Sequence, residues 1–220
     1  SICLVYAIIN SKRLRLVVGS GLTNYTLFVS PTKGSNAYGD GSYEYPYQTL
    51  EFALKKALNG NTINLLEGTY SYGFNSNLKI DRNLTIAGFE NAILSRDNNR
   101  NIFIIASYGS LIIKNITFTA NSLDYGNSLF IVNGGNLKVI NSSFTNIASE
   151  GIIDARGIVE VFNVSFTNNK GSIFTGSARF YADRISVENT SNYYTNRIYQ
   201  DYNCIIPITG AIEIHNSVFK

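Results

Sequence analysis

The chain has 220 residues, of which 45% are hydrophobic and 15% are charged, and its net charge is +3. This composition excludes a disordered chain and is sufficient for one sizeable core. With 28 asparagines and 18 glycines but only 3 prolines, it indicates an all-β protein with many turns. Basic residues are scattered apart from Lys12-Arg13-Leu14-Arg15, so no nucleic-acid partner is expected.

The first apolar segment is Ile2 to Ile9, which is too short to span a bilayer. Its valine, isoleucine, leucine and tyrosine content favours a strand, either buried or donated to a neighbouring chain, over the remnant of a secretion signal. Cys3 and Cys204 are the two cysteines, and the sequence leaves their pairing open. We assign residues 1–27 to an N-terminal strand or extension.

Tyr47 to Leu58 is the one segment with the apolar pattern of a helix. Its leucines and alanines recur on one face, and Asn59-Gly60 supplies a stop signal. The next run, Asn61 to Tyr70, reads as a strand. A helix directly before a repeat would cover the end of the repeat core, so residues 28–60 are predicted to form an N-terminal loop and a capping helix.

A four-residue motif recurs after this strand, with asparagine first and a bulky apolar residue last. Copies begin at five asparagines and one degenerate position: Asn83, Asn115, Asn141, Asn163, Arg184 and Asn216. Six residues earlier lies a small-residue column of Gly109, Gly135, Gly157, Ala178 and Gly210. Apolar columns lie at three further offsets before the first residue of the motif. Two residues before it are Ile113, Val139, Val161, Ala182 and Ile214; four before it are Leu111, Leu137, Val159, Phe180 and Ile212; ten before it are Ile105, Ile131, Ile153, Phe174 and Ile206. The Asn83 copy keeps only its downstream half, because Lys79 and Asp81 occupy its apolar columns.

These columns predict how each repeat folds. Alternating apolar positions indicate strands with one buried face, and the glycine and asparagine columns mark bends where a positive φ costs least. Residues 61–220 are therefore predicted to form a right-handed parallel β-helix, an all-β solenoid of about six coils with no predicted C-terminal cap. A β-sandwich is the alternative, but it does not require the same residue types in the same columns.

Four motifs near the start of the chain resemble a known family: Phe28-Val-Ser-Pro-Thr-Lys-Gly-Ser, Gly39-Asp40-Gly41-Ser, Tyr45-Pro-Tyr-Gln-Thr-Leu50 and Thr62-Ile-Asn-Leu-Leu-Glu-Gly-Thr-Tyr70. They resemble the opening of pectin-lyase-like β-helix proteins. With Asn83-Leu-Thr-Ile-Ala-Gly88, the chain is most similar to the secreted adhesin-like β-helix proteins of methanogenic archaea. The resemblance covers residues 28 to 220 and implies the fold; the same opening also precedes polysaccharide lyases, so it leaves function open.

Enzymes that resemble pectate lyases act on the outer face of one sheet, with clustered acids that hold Ca²⁺ and a Lys or Arg base. The register places two outward columns before the asparagine bend: Ile112, Lys138, Glu160, Tyr181 and Glu213, and Lys114, Ile140, Phe162, Asp183 and His215. Of the acids, only Glu160 and Asp183 lie close, on a diagonal that a hydrolase could use. Charged outward residues are more often solvated surface, so no catalytic residue is predicted.

Other candidate chemistry is sparse. His215, the only histidine, is expected to be exposed and to have no catalytic partner. Asp40-Gly41 is expected to be a turn and not a Ca²⁺ site. No phosphate loop or metal-spaced His/Cys set is found, so neither a cofactor nor a metal is predicted.

Six Asn-x-Ser/Thr sequons begin at Asn24, Asn83, Asn115, Asn141, Asn163 and Asn189. Four of them belong to the repeat column, where the asparagine is explained by the bend. Asn24 and Asn189 are therefore the glycosylation candidates.

The longest variable loop carries four tyrosines among amides: Tyr193, Tyr194, Tyr199 and Tyr202. Tyrosine with asparagine suits contact with a glycan or a protein, so this loop is the predicted binding segment. The alternative is a tyrosine cluster that packs on the coil below.

We therefore expect a secreted, extracellular or cell-surface protein that is not an enzyme. It would be adhesin-like, or a structural subunit of an envelope or an extracellular filament. The alternative is a polysaccharide lyase or glycoside hydrolase of the pectin-lyase-like fold. Expected partners are a glycan or surface-protein ligand and a second copy of the chain, joined end to end through the strand at Ser1 to Ile9.

Overall fold

The computed structural model describes residues 25–71, 76–96, 99–120, 126–190 and 210–220, and the backbone of two N-terminal strands. These strands are β1 (Cys3–Ile9) and β2 (Lys12–Val18), which pair antiparallel as a two-stranded sheet. Cys3 pairs with Val18 and Ile9 pairs with Lys12 at its two ends. The strand predicted at Ile2 to Ile9 is thus present, whereas its partner β2 was not predicted.

Eighteen further strands and one helix follow in chain order: β3 (Thr26–Val29), α1 (Leu50–Lys56), β4 (Thr62–Leu65), β5 (Gly68–Tyr70), β6 (Leu78–Ile80), β7 (Asn83–Gly88), β8 (Ala92–Arg96), β9 (Phe103–Ile105), β10 (Ser110–Lys114), β11 (Thr117–Ala120), β12 (Phe130–Val132), β13 (Asn136–Ile140), β14 (Ser143–Thr145), β15 (Ala148–Ala155), β16 (Ile158–Thr167), β17 (Lys170–Gly176), β18 (Arg179–Glu188), β19 (Ile212–His215) and β20 (Val218–Phe219).

These strands pair in parallel and form three faces of a solenoid. Face 1 contains β6, β9, β12, β15 and β17. Face 2 runs through β3, β4, β7, β10, β13, the first halves of β16 and β18, and β19. Face 3 contains β5, β8, β11, β14, the second halves of β16 and β18, and β20. The described strands make five complete turns, with β3 before them and β18, β19 and β20 after them. The predicted parallel β-helix is therefore confirmed, with about five turns where about six were expected.

The core consists of side-chain columns that run from turn to turn. Leu111, Leu137 and Val159 lie in register on face 2, and so do Ile113 and Val139. On face 3, Phe118, Phe144 and Phe166 are buried and stacked, with ring centroids 4.8 and 5.0 Å apart and planes inclined by 9° in both pairs. The predicted phenylalanine column and the two face 2 columns are therefore confirmed.

The asparagine column forms the corner between faces 2 and 3. Asn115, Asn141 and Asn163 have φ values of 55°, 49° and 52°, in the left-handed region that asparagine tolerates better than most residues. Arg184, at φ 53°, occupies the same position between Asn163 and Asn216. The degenerate copy predicted at Arg184 is therefore a genuine turn of the repeat.

The copy assigned to Asn83 is wrong. Asn83 pairs with Ser110 and begins β7, so it lies at the start of face 2 and not at its corner. Gly88, which follows the Ala87–Lys114 pair, takes the corner position that asparagine holds in later turns. Lys79 did not fit the apolar column because it points outward between the buried residues Leu78 and Ile80.

The glycine column is confirmed in position, but its physical reason differs from the predicted one. None of Gly109, Gly135, Gly157 and Gly210 has a positive φ. Instead, a Cβ added at Gly157 would overlap the carbonyl oxygen of Gly135 in the preceding turn, and the other three meet similar obstacles. Adjacent turns approach closely at this corner, so a side chain has little room at these four positions, whereas the buried Ala178 fills the corresponding position in one turn.

The column predicted on face 1 is only partly correct. Ile153 and Phe174 pair as expected, but Phe103 and Phe130 complete the column in place of Ile105 and Ile131. The corner that follows face 1 shortens from four residues after β9 to three after β12 and two after β15. A fixed offset from the asparagine therefore fails on this face, and Ile206 lies outside the described residues.

The helix α1 covers the N-terminal end of the core, as predicted, but it is shorter than Tyr47 to Leu58. Thr49 caps it, because its side-chain oxygen accepts a hydrogen bond from the backbone N–H of Phe52 at 3.2 Å. Leu50, Ala53 and Leu54 are buried against the first strands. Tyr47 precedes the helix and instead forms a bridge with Val29.

A buried arginine links turns that are not adjacent. Arg96, only 4% exposed, ends β8 and donates hydrogen bonds of 2.6 Å to the carbonyl oxygens of Asn127 and Ala148. Burial lowers the pKa of Arg96 below its ordinary value. Gly126 packs against its guanidinium, where a Cβ would lie 2.9 Å from the nearest atom.

Candidate functional site

The outer side of face 2 carries two straight columns of outward residues. One contains Ile112, Lys138, Glu160, Tyr181 and Glu213, and the other contains Lys114, Ile140, Phe162, Asp183 and His215, in the register that the sequence predicts. Because a β-helix stacks its strands rigidly, neighbours in these columns are fixed relative to one another. The C-terminal part of this surface gathers polar and aromatic groups, and we call Lys138, Glu160, Phe162, Tyr181, Asp183 and His215 the outer-face cluster.

Three rings run through the outer-face cluster from strand to strand. The ring of Tyr181 lies 5.5 Å from that of Phe162 and 5.4 Å from that of His215, with inclinations of 40° and 32°. Phe162 and Tyr181 are half-buried, so each ring keeps part of its surface open. On its other side, Phe162 lies under the ammonium group of Lys138, at 4.5 Å from the ring centroid.

The acidic groups of the cluster are held by neighbours. Glu160 forms an ion pair with Lys138 at 3.3 Å. The Asp183 carboxylate accepts a hydrogen bond of 2.9 Å from the side-chain amide of Asn216 and lies 3.5 Å from the guanidinium of Arg184. These contacts orient both carboxylates as fixed acceptors.

One expectation about this surface needs correction. Asp183 was expected to be exposed, yet its side chain is only 15% exposed because Asn216 and Arg184 cover it. His215 is exposed as expected, but its Nε2 lies 4.0 Å from the Glu213 carboxylate on the same strand. That separation exceeds a hydrogen bond, so Glu213 does not orient the imidazole.

Face 1 offers less chemistry on its outer side. Its outward column contains Lys79, Ile104, Ile131, Asp154 and Thr175, with a single acid. Within residues 25–71, 76–96, 99–120, 126–190 and 210–220, no group of three or more His, Cys, Asp or Glu side chains is arranged to hold a metal ion. In the same ranges no helix has the length and hydropathy needed to cross a membrane.

Several predicted residues lie outside the described part of the chain: Tyr193, Tyr194, Tyr199, Tyr202, Asn24 and Cys204. Asn189 is described and exposed, with φ 50°. It follows Glu188, the register partner of Thr167, and so continues a second left-handed corner formed by Asn146 and Asn168. Its conformation is therefore also explained by a bend, in a second asparagine column that the sequence analysis did not predict.

The sequence analysis also did not predict the three adjacent rings of the outer-face cluster as a binding feature. The outward columns contain Phe162, Tyr181 and His215, but no single column places these rings next to one another. Diagonal adjacency of the aromatic residues between the two columns was the available signal, because residues two apart on neighbouring strands are within reach of long side chains.

Comparisons with known proteins add little to this site. No protein-family model and no curated protein sequence matches the chain. Among solved structures, the chain is similar to a rhamnogalacturonan lyase, with a TM-score of 0.46 and 11% sequence identity over 89% of this chain. The matched region spans 62% of the lyase, so the chain covers less than two thirds of that protein.

Proposed function

We propose that this chain is a non-catalytic β-helix protein of a cell surface or an extracellular fibre, and that it binds glycans through the outer-face cluster. The observation that carries this proposal is the strip of half-open rings at Phe162, Tyr181 and His215 beside fixed polar groups. Ring faces pack against the apolar faces of sugars, and oriented carboxylates and amides accept or donate hydrogen bonds to sugar hydroxyls.

The absence of catalysis is proposed because the two acids are engaged in structural contacts. Glu160 is paired with Lys138, and Asp183 is bound by Asn216 and Arg184. A glycoside hydrolase needs one carboxyl group free to reach the glycosidic oxygen and a second free to face water or the sugar ring. An adhesin-like or structural role is consistent with the resemblance of residues 28 to 220 to secreted adhesin-like β-helix proteins.

The alternative is a polysaccharide lyase or glycoside hydrolase. It is favoured by the diagonal placement of Glu160 and Asp183 on neighbouring strands, since the register pairs Glu160 with Tyr181 and Phe162 with Asp183. Diagonal neighbours in a sheet lie about 7–8 Å apart, within the separation used by inverting glycosidases. Cleavage assays separate this alternative from binding alone.

Self-association belongs to the same proposal. Among the described strands, β1 pairs with β2, and addition of its other edge to a strand of another copy would extend this sheet between chains. Head-to-tail addition of this kind generates filaments unless it closes into a ring. Sedimentation of the native chain and of a variant that lacks residues 1–9 tests this part; loss of assembly with a retained β-helix is expected.

Affinity electrophoresis tests glycan binding, with hydroxyethylcellulose as the neutral probe and polygalacturonate as the acidic probe. Tyr181→Ala should weaken binding by about tenfold, the loss expected for a central aromatic contact. Tyr108→Ala is the matched control, because Tyr108 is 67% exposed and lies outside the outward columns. Unchanged binding in Tyr181→Ala, or loss of binding in both variants, would contradict the proposed site.

A further inference from the structure

A second group of exposed rings lies at the N-terminal end of face 2. The ring of Tyr43 contacts Phe28 at 5.4 Å and Phe89 at 6.5 Å, in edge-to-face arrangements. Tyr43 is 60% exposed and Phe89 is 47% exposed, although both are large apolar side chains. We call these three residues the N-terminal aromatic cluster.

The N-terminal aromatic cluster belongs to the same outer surface as the outer-face cluster. Phe28 on β3 points outward, because Leu27 and Val29 on either side of it are buried. Its outward column continues through Asn64, Ala87 and Lys114 to Ile140 and Phe162. Phe28 and Phe162 are thus separated by five strand spacings, or about 24 Å at roughly 4.8 Å each.

The surface between the two clusters is suited to a sugar chain. The second outward column there contains Thr62, Thr85 and Ile112, so β4, β7 and β10 present hydroxyl, amide, ammonium and aliphatic groups and no carboxylate. The outward residues in these positions are half-buried or, at Lys114, exposed. A polymer that crosses the strands would find hydrogen-bonding groups along its whole length.

We infer that a single extended glycan chain crosses face 2 and contacts both clusters, so that the ligand is a polysaccharide and not a short oligosaccharide. This inference rests on the proposed glycan-binding function and adds the N-terminal aromatic cluster to its site. Two contacts on one rigid surface act as linked sites, and a ligand long enough to reach both gains affinity from their high effective concentration.

Chain length is the variable to test. Binding is measured by calorimetry with cello-oligosaccharides of increasing length against hydroxyethylcellulose, and with oligogalacturonides against polygalacturonate. Affinity should rise steeply once the oligosaccharide spans both clusters, with the polymer binding about 100-fold more tightly than the disaccharide.

Three variants locate the effect. Tyr43→Ala and Tyr181→Ala should each weaken polymer binding by about tenfold or more, because removal of either cluster removes the linkage. Tyr108→Ala should leave polymer binding unchanged. Circular dichroism checks that each variant is folded. All three should fold, because Tyr43 and Tyr108 are more than half exposed and Tyr181 is half-buried on the surface.

The outcomes separate the inference from the function on which it rests. If neither polymer binds the native chain, the proposed function fails. If a polymer binds and Tyr181→Ala weakens it but Tyr43→Ala does not, the proposed function stands and the inference is overturned. Equal affinity per mole for disaccharide and polymer overturns the inference as well.

Discussion

The ring of Phe144 stacks on the ring of Phe118 with centroids 4.8 Å apart, and it stacks equally on Phe166 in the next turn. Phe144→Ala would leave a cavity between two rings that cannot collapse without disturbing three strands. We expect a loss of about 3–5 kcal/mol in the free energy of unfolding, measured by urea denaturation. Tyr108→Ala, on the surface, should change it by less than about 0.5 kcal/mol; similar losses in both variants would refute the stacked core.

The close approach of turns at the glycine column gives a second prediction. A Cβ at residue 157 would overlap the carbonyl oxygen of Gly135, so Gly157→Ala must push two turns apart. The expected cost is about 1–3 kcal/mol of unfolding free energy. Ser177→Ala, at an exposed corner residue, is the control and should be neutral. A stabilised Gly157→Ala variant would show that glycine serves only chain flexibility at this position.

From β10 onward, the corner between faces 2 and 3 is formed in each turn by one residue with left-handed backbone. These residues are Asn115, Asn141, Asn163, Arg184 and Asn216, so Arg184 is the one that is not asparagine. Arg184→Asn should stabilise the protein by about 0.5–1 kcal/mol, because asparagine adopts this backbone region at lower cost. The lost contact with Asp183 is long, at 3.5 Å, and the Arg184 side chain is 64% exposed, so the contact contributes little, and Asp183 keeps its hydrogen bond from Asn216. Arg179→Asn, in extended backbone on the same strand, is the control. Destabilisation by Arg184→Asn would contradict the repeat register.

The buried phenol of Tyr70 predicts a dependence of stability on alkaline pH. Its single hydroxyl proton is shared between the carbonyl oxygens of Val29 at 2.7 Å and Leu66 at 2.9 Å. Burial raises the pKa of Tyr70 well above its ordinary value. A raised pKa means that the unfolded chain loses this proton first. The contribution of Tyr70 is therefore complete below about pH 10 and declines as the pH rises further.

Tyr70→Phe tests this dependence. Unfolding free energies of the native chain and the variant are compared at neutral pH and above about pH 10. The variant should lose about 1 kcal/mol at neutral pH, from the missing hydrogen bonds, and this difference should shrink at high pH. A difference that is constant with pH would contradict the assignment.

Catalytic silence is the prediction that decides between the two proposed functions. The native chain should release neither reducing ends nor unsaturated uronates from polygalacturonate, with or without Ca²⁺. Glu160→Gln and Asp183→Asn should be indistinguishable from it. Cleavage that disappears in these variants and persists in Glu188→Gln, an exposed acid on face 3, would establish the enzyme instead.

Sequence periodicity predicted face 2 and face 3 well because the segment between Gly109 and Phe118 has the same length in later turns. The columns at Leu111, Ile113 and Phe118 therefore repeat at fixed offsets from Asn115. Face 1 was predicted less well because the corner that follows it changes length, and offsets counted through it accumulate the change.

The misassigned Asn83 shows a second limit of sequence patterns. Asparagine suits both the start of a strand and a left-handed corner, and four matching residues could not distinguish the two positions. Only strand pairing with Ser110 does so. The ring contacts of the candidate site could not be predicted from either column alone. Phe162 and His215 lie in one outward column and Tyr181 in the other, and the rings meet on diagonals between them.

The guanidinium of Arg96 has a mechanical consequence. A solenoid whose turns touch only their neighbours can be unzipped one turn at a time under load, since each turn resists with its own interface alone. Arg96 reaches past the adjoining turn to Ala148 while it also holds Asn127, so three successive corners must yield together. Under a pulling force, a fibre or surface protein built in this way would unfold these turns together in one large step. A solenoid without such a link would unfold one turn at a time.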